Sequence, residues 1–226
     1  MKTSLGMNEK FFMKKIDLKL LDEIFHRAEV ASEISGHEAH VVELLEIYLA
    51  CKAEHARAWG LYGVALRELG RHKDGLAALT RAYELAPENY KGYIAMQIAV
   101  LIKEYRSPGE ALAWFEMGCT YLGAESGWPW VLRGENLVCL GEFDEAITCF
   151  ETAQLGEHNH KDEALYNLGL AYRAKGDYRK ASICFEEAIQ ITPNYELAIN
   201  ALNGMKKLDE ALKLALAMRK IIHKVH

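Results

Sequence analysis

Nine histidines and five cysteines are the residues of this chain best suited to metal or nucleophile chemistry, and their spacing supports neither. His37 and His40 sit in GHEAH, an H-E-x-H string one residue short of the H-E-x-x-H that sets two imidazoles on one helix face for zinc. His158 and His160 flank Asn159 in a polar stretch, and His223 and His226 close the chain. Each pair lacks a third ligand, which a catalytic zinc needs beside its open position. They read as solvated turn or terminal histidines. The cysteines at 51, 119, 139, 149 and 184 form no C-x-x-C pair, and their odd number fits small buried thiols in a reducing compartment. No G-x-G-x-x-G after a strand, P-loop or G-x-S-x-G is present. The carboxylates of KDEALYN and GEFDEAI fall where they favour a helix dipole. The chain reads as non-enzymatic, with no metal or cofactor.

The elements that carry these residues are helical. Half of the 226 residues are hydrophobic and four are Pro, which describes an ordered chain. The net charge of −5 argues against a general nucleic-acid binder, which needs a basic face for phosphates. No stretch approaches the roughly 18 apolar residues of a membrane span. Charges interrupt MKTSLGMNEKFFMKKIDLKLLDEIF every few residues, so it is no signal sequence. A cytoplasmic protein without membrane insertion is expected.

One pattern recurs four times. Its clearest copy is LYNLGLAYRAKGDYRKASICFEEAIQITP, from Leu165 to Pro193. Leu168, Gly169, Tyr172, Ala181, Phe185 and Pro193 match the signature W-x2-L-G-x2-Y…A-x3-F…P, with Leu165 in place of Trp. Trp59, Gly63, Leu66, Gly75, Leu79, Ala82 and Pro87 form a second copy. Ile98, Ala99, Ile102, Ala111, Phe115 and Gly118 form an irregular one, and Trp130, Gly134, Leu137, Ala146, Phe150 and Ala153 another. The copies begin near 56, 92, 127 and 162, a spacing of 35 or 36 residues. In register and signature the chain resembles the tetratricopeptide repeat family.

The pattern has a steric cause. Gly63, Gly134 and Gly169 let the two helices of a repeat approach closely, while Tyr172 and Phe185 fill the space around the contact. Gly70, Gly141 and Gly176 fall at C-cap positions that favour positive φ. Ser126 is placed to N-cap a helix with Pro129 in its first turn, and Pro87 and Pro193 close second helices. Arg133 stands where Leu is usual.

The expected organisation is a leader over residues 1–21 and a degenerate repeat over 22–55 with its turn at Gly36. Four repeats follow over 56–91, 92–126, 127–161 and 162–195. Residues 196–226 are expected to start another first helix, then turn early into a capping helix. In that helix Leu208, Ala211, Leu212, Ala215, Met218, Ile222 and Val225 make one apolar stripe over the last repeat. A homodimer through this helix, within a self-assembling scaffold, is the alternative use.

The resemblance implies an all-α solenoid, a right-handed superhelix of antiparallel helix pairs whose first helices line a concave peptide groove. Places 2, 5, 6, 9 and 12 of each first helix point away from the signature face. They give Leu61 and Val64, then Tyr93, Met96, Gln97 and Val100, then Trp128, Val131, Leu132 and Glu135, then Tyr166, Asn167 and Leu170. Contiguous apolar residues on an otherwise solvated face indicate a partner. The expected ligand is an apolar peptide or amphipathic helix of a protein partner, in an adaptor or chaperone-like role. Family members that clamp a terminal carboxylate use Lys, Asn and Arg on three successive first helices. No such set occurs here, where Asn167 stands alone among Tyr166 and Leu170.

Overall fold

A computed structural model describes residues 18–156 and 160–225, with backbone alone at 212, 217 and 220–225. Among these residues there are eleven α-helices and no strand. The chain divides into two compact units, one up to Tyr121 and one from Leu122.

The first unit holds α1 (Leu18–Ser32), α2 (Glu38–Cys51), α3 (Ala56–Glu68), α4 (His72–Leu85) and α5 (Glu88–Tyr105), and α6 (Pro108–Leu122) runs to its boundary. Residues 1–17 of the expected leader lie outside the described residues, and helix already begins at Leu18. Leu21 and Ala28 of α1 join Val41, Leu45 and Leu49 of α2 and Leu66 of α3 in one apolar core. Gly36 turns the chain between α1 and α2 with φ +88°. At Gly63 an added Cβ would stand 2.6 Å from Leu79 Cγ, so α3 lies tight on α4.

Pro87 N-caps α5, which starts four residues before the expected Gly92 and is the longest helix of this unit at 18 residues. Ile94, Ile98 and Leu101 are fully buried along it. The Ser107 hydroxyl caps the start of α6. The Glu110 N–H donates to Ser107 Oγ at 3.2 Å, and that hydroxyl donates to Glu110 Oε1, with Pro108 at the first helical position.

The second unit holds α7 (Gly127–Leu140), α8 (Phe143–Ala153), α9 (Lys161–Ala174), α10 (Tyr178–Ile191) and α11 (Glu196–Val225). Phe150 and Phe185 are buried and set the spacing of the two helix pairs. A Cβ on Gly134 would stand 2.5 Å from Phe150 Cε1, and one on Gly169 2.5 Å from Phe185 Cε1. Gly141 ends α7 with φ +81°, its N–H bonded back to Val138 O at 3.0 Å. Ser126 N-caps α7 by position, yet its hydroxyl makes no capping hydrogen bond. Asp177 does cap α10, accepting from the Lys180 N–H at 3.1 Å.

Two expectations about the C-terminal segment are corrected. The chain makes no turn after Gly204, because α11 runs unbroken for 30 residues. Only its first part covers the preceding pair: Ala198, Leu202 and Met205 are buried, beside Phe185 and Ala188. Leu208 and Met218 of the expected capping stripe are exposed, as are Ala211 and Ala215. Glu196–Val225 contains no proline to kink the helix back toward the preceding pair. The stripe positions 212, 222 and 225 lie outside the described side chains.

Candidate functional site

The first unit carries a cavity of about 390 Å³. It is bounded by the end of α1 and the turn after it, the start of α2, the middle of α3 and Tyr93 of α5. Leu61 and Val64 supply its apolar floor, while Ile34 and Tyr93 stand more exposed beside it. Tyr93 stacks on Tyr90 with ring centroids 5.5 Å apart and planes at 16°, as residues three apart on one helix can. Burial raises the phenol pKa of both, that of Tyr90 to about 12, so each hydroxyl stays neutral at physiological pH.

Three carboxylates line this cavity, those of Glu33, Glu38 and Glu68, and none of its lining residues is Lys or Arg. Glu38 accepts from the Gly36 N–H at 2.9 Å, which holds its carboxyl below the usual range. Arg67, outside the lining, pairs with Glu68 and also reaches Gln97 Oε1 at 3.2 Å and Glu104 at 3.7 Å, which leaves Glu33 and Glu38 to supply the negative charge of the rim. The cavity is therefore an apolar pocket with an acidic rim. It suits apolar side chains that bring Lys or Arg beside them.

In the second unit the corresponding face of α7 and α9 carries Trp128, Leu132, Glu135, Asn167 and Leu170, all half-buried. The Asn167 amide donates to Glu135 Oε1 at 3.2 Å and links the two helices. Gln97 takes the same repeat place in α5 as Asn167 in α9, and each bonds to the preceding first helix.

Met96 and Val131, expected on the groove, are buried instead, Met96 completely and Val131 to 2% exposure. Both occupy place 5 of their repeat, as do Gly60 and Tyr166. Place 5 is three residues before the small residue of closest helix approach, so the two share a face and the side chain turns into the contact. Met96 lies against Gly118, a Cβ on Gly60 would meet Ile94 Cδ1 at 2.9 Å, and Tyr166 packs on Phe185 and Tyr195. Places 6 and 9 form the open face: Leu61, Val64, Gln97, Val100, Leu132, Glu135, Asn167 and Leu170 are all half-buried.

Sequence reasoning missed Ile34, Glu33 and Glu38, because the degenerate repeat offers no signature to set a register. The available signal was an isoleucine inside the polar turn SEISGHE. Arg133 is explained by the aromatic beside it, since its guanidinium stands 5.8 Å from the Trp130 ring centroid.

The histidines and cysteines are dispersed, and among the described residues no three potential ligands converge. His37 is the N-cap residue of α2, His40 lies 3.9 Å from Glu43, and His160 pairs with Glu163 at 3.2 Å. His158 and His226 lie outside the described residues. Cys119, Cys149 and Cys184 are buried and in no disulfide, and burial pushes the Cys184 thiol up to about 11. His55, unremarked in the sequence, caps α3 between the rings of Phe25, at 4.7 Å, and Tyr48, at 5.5 Å.

Family models for the tetratricopeptide repeat match residues 125–194 and 42–90, together more than half of the chain. Solved structures share the fold. YrrB, described as a TPR protein with an unusual peptide-binding site, is 21% identical over 79% of this chain and 89% of its own, with a TM-score of 0.61. MamA of Desulfovibrio magneticus RS-1, from residue 41 on, is 14% identical over 77% and 96%, with a TM-score of 0.65. BtubC of P. vanneervenii is 18% identical over 76% and 80%, with a TM-score of 0.67. At these identities the likeness is one of fold. Among the described residues no helix is long and apolar enough to cross a membrane.

Proposed function

The chain belongs to the tetratricopeptide repeat family, and from that premise we propose that it is a non-enzymatic, cytoplasmic adaptor whose first-unit cavity holds an apolar peptide or amphipathic helix of a partner protein. The family membership carries protein–protein interaction as the general role. The finer reading rests on one observation: Leu61 and Val64 form the floor of an acid-rimmed cavity beside the exposed Tyr93. A ring already stacked on Tyr90 is a rigid anchor, and such aromatics dominate binding where they become desolvated. Peptide binding by YrrB supports the reading by analogy of fold. The second-unit face around Trp128 and Leu132 extends the repertoire but has no comparable acidic rim among the contacts described.

Panning a random peptide library on the full chain tests this. The expected result is enrichment of peptides with apolar side chains at helical spacing and adjacent Lys or Arg. Their binding should vanish in the doubly substituted chain Val64→Lys, Tyr93→Ala. The new lysine would fill the cavity and neutralise its rim. Enriched peptides that bind parent and variant equally would remove the cavity from the mechanism.

A further inference from the structure

We propose that the first-unit cavity takes the C-terminal helix of a second copy of this chain, so that copies join head to tail; this rests on reading the cavity as a peptide site. Two surfaces argue for it, one on each unit.

The first is α11 beyond Met205. Here the helix has left the core, and Leu208, Leu214 and Met218 are 42%, 64% and 56% exposed. In sequence, Leu208, Ala211, Leu212, Ala215, Met218 and Ile222 recur every three or four residues, which aligns them along one face. Residues 206–226 hold six Lys or Arg against two Asp or Glu, a net charge of +4. Since the whole chain carries −5, the remaining 205 residues carry −9. The tail is a cationic amphipathic helix on an anionic protein.

The second surface is the cavity, whose lining holds Glu33, Glu38 and the Arg67-paired Glu68 and no cation. Its 390 Å³ admits side chains rather than a whole helix. The tail would lie across the mouth with apolar side chains inserted and Lys207 and Arg219, which flank the stripe, against the carboxylates. Ala211 and Ala215 would let its axis approach α3 closely.

A cationic amphipathic helix could also lie on an anionic lipid surface. Composition favours the protein groove. The tail has no Trp, Tyr or Phe to anchor it at a membrane interface, and its stripe contains small residues suited to helix contact. Because cavity and helix are different patches, the contact is heterologous and produces rings or open chains.

Light scattering of the full chain over a concentration series provides the test. The parent should gain mass with concentration and lose it as salt rises. Leu208→Asp with Met218→Asp should leave a monomer, as should Val64→Lys with Tyr93→Ala, each with the helical circular dichroism of the parent. Lys207→Glu with Arg219→Glu repeats the helix test without touching apolar side chains. Mixed in equal amounts, the helix variant and the cavity variant should double in mass and stop, because only one working helix meets one working cavity. A parent that stays monomeric, a helix variant that assembles like the parent, or a mixture that stays monomeric overturns the proposal. So does a tail that brings the parent down with phosphatidylserine vesicles while no assembly occurs. A monomeric parent that still binds panned peptides through Val64 and Tyr93 overturns the head-to-tail contact alone.

Discussion

The side-chain amide of Asn167 donates a 3.2 Å hydrogen bond to the carboxylate of Glu135, so α9 is tied to α7 through residues of two successive repeats. Gln97 and Arg67 make the equivalent 3.2 Å link between α5 and α3. Place 6 of the repeat is thus a polar tie in two of the four first helices. On an open face such a tie fixes the spacing of the helices that a ligand would bridge.

A double-mutant cycle with Asn167→Ala and Glu135→Ala should return a favourable coupling of about 0.5–1.5 kcal/mol, the net worth of one partly buried hydrogen bond. Urea unfolding of the four proteins measures it. Coupling near zero would mean that water replaces the bond without loss.

Gly169→Ala should destabilise the protein by about 1–3 kcal/mol, the usual cost of overpacking a filled core. The added methyl would stand 2.5 Å from Phe185 Cε1, and Phe185 is completely buried. Gly204→Ala is the control, since nothing lies within 4 Å of its added Cβ, and it should stabilise α11 through helix propensity. Thermal melts of the two variants should move in opposite directions.

Burial between Phe25 and Tyr48 pulls the His55 imidazole below its ordinary pKa, against a weaker upward pull from Glu29, while Arg57 and Lys52 add to the lowering. The unfolded chain takes up this proton near pH 6.5, the folded chain only at lower pH. Stability held above about pH 6.5 is therefore lost as the pH falls below that value, and the unfolded state gains the proton first. His55→Phe should flatten the acid limb of the stability curve below about pH 6.5 relative to the parent. Equal acid sensitivity in both proteins would assign it elsewhere.

Cys139 is exposed, whereas Cys149 and Cys184 are buried with thiols held above their ordinary range, Cys184 at about 11. The thiolate is the reactive form, so a short iodoacetamide pulse near neutral pH should label Cys139 first. The buried pair should react only in denaturant. Mass spectrometry of the labelled peptides reads the order directly.

Much of the local architecture was legible in the residues. Gly134 and Gly169 announced the close helix contacts because any Cβ there meets a phenylalanine ring, and that demand is written in residue type. Gly70, Gly141 and Gly176 announced the turns, and all three adopt positive φ, from +73° to +82°. The face available to a ligand was legible only in part. A helical wheel ranks places by angle alone. It could not tell that place 5, beside the closest contact, turns inward at Met96 and Val131 while places 6 and 9 stay open.

The sequence by itself determined the family, the helical repeat and its register, because glycines, aromatics and turn residues at fixed spacing act through local sterics. Only the tertiary structure decided where an accessible cavity lies. It needed the turn after α1, which has no signature, to come up against Leu61, Val64 and Tyr93 from helices far along the chain. The same holds for α11. Its apolar stripe is a property of the sequence, but whether that stripe is covered depends on how far the helix stays in contact with the pair before it.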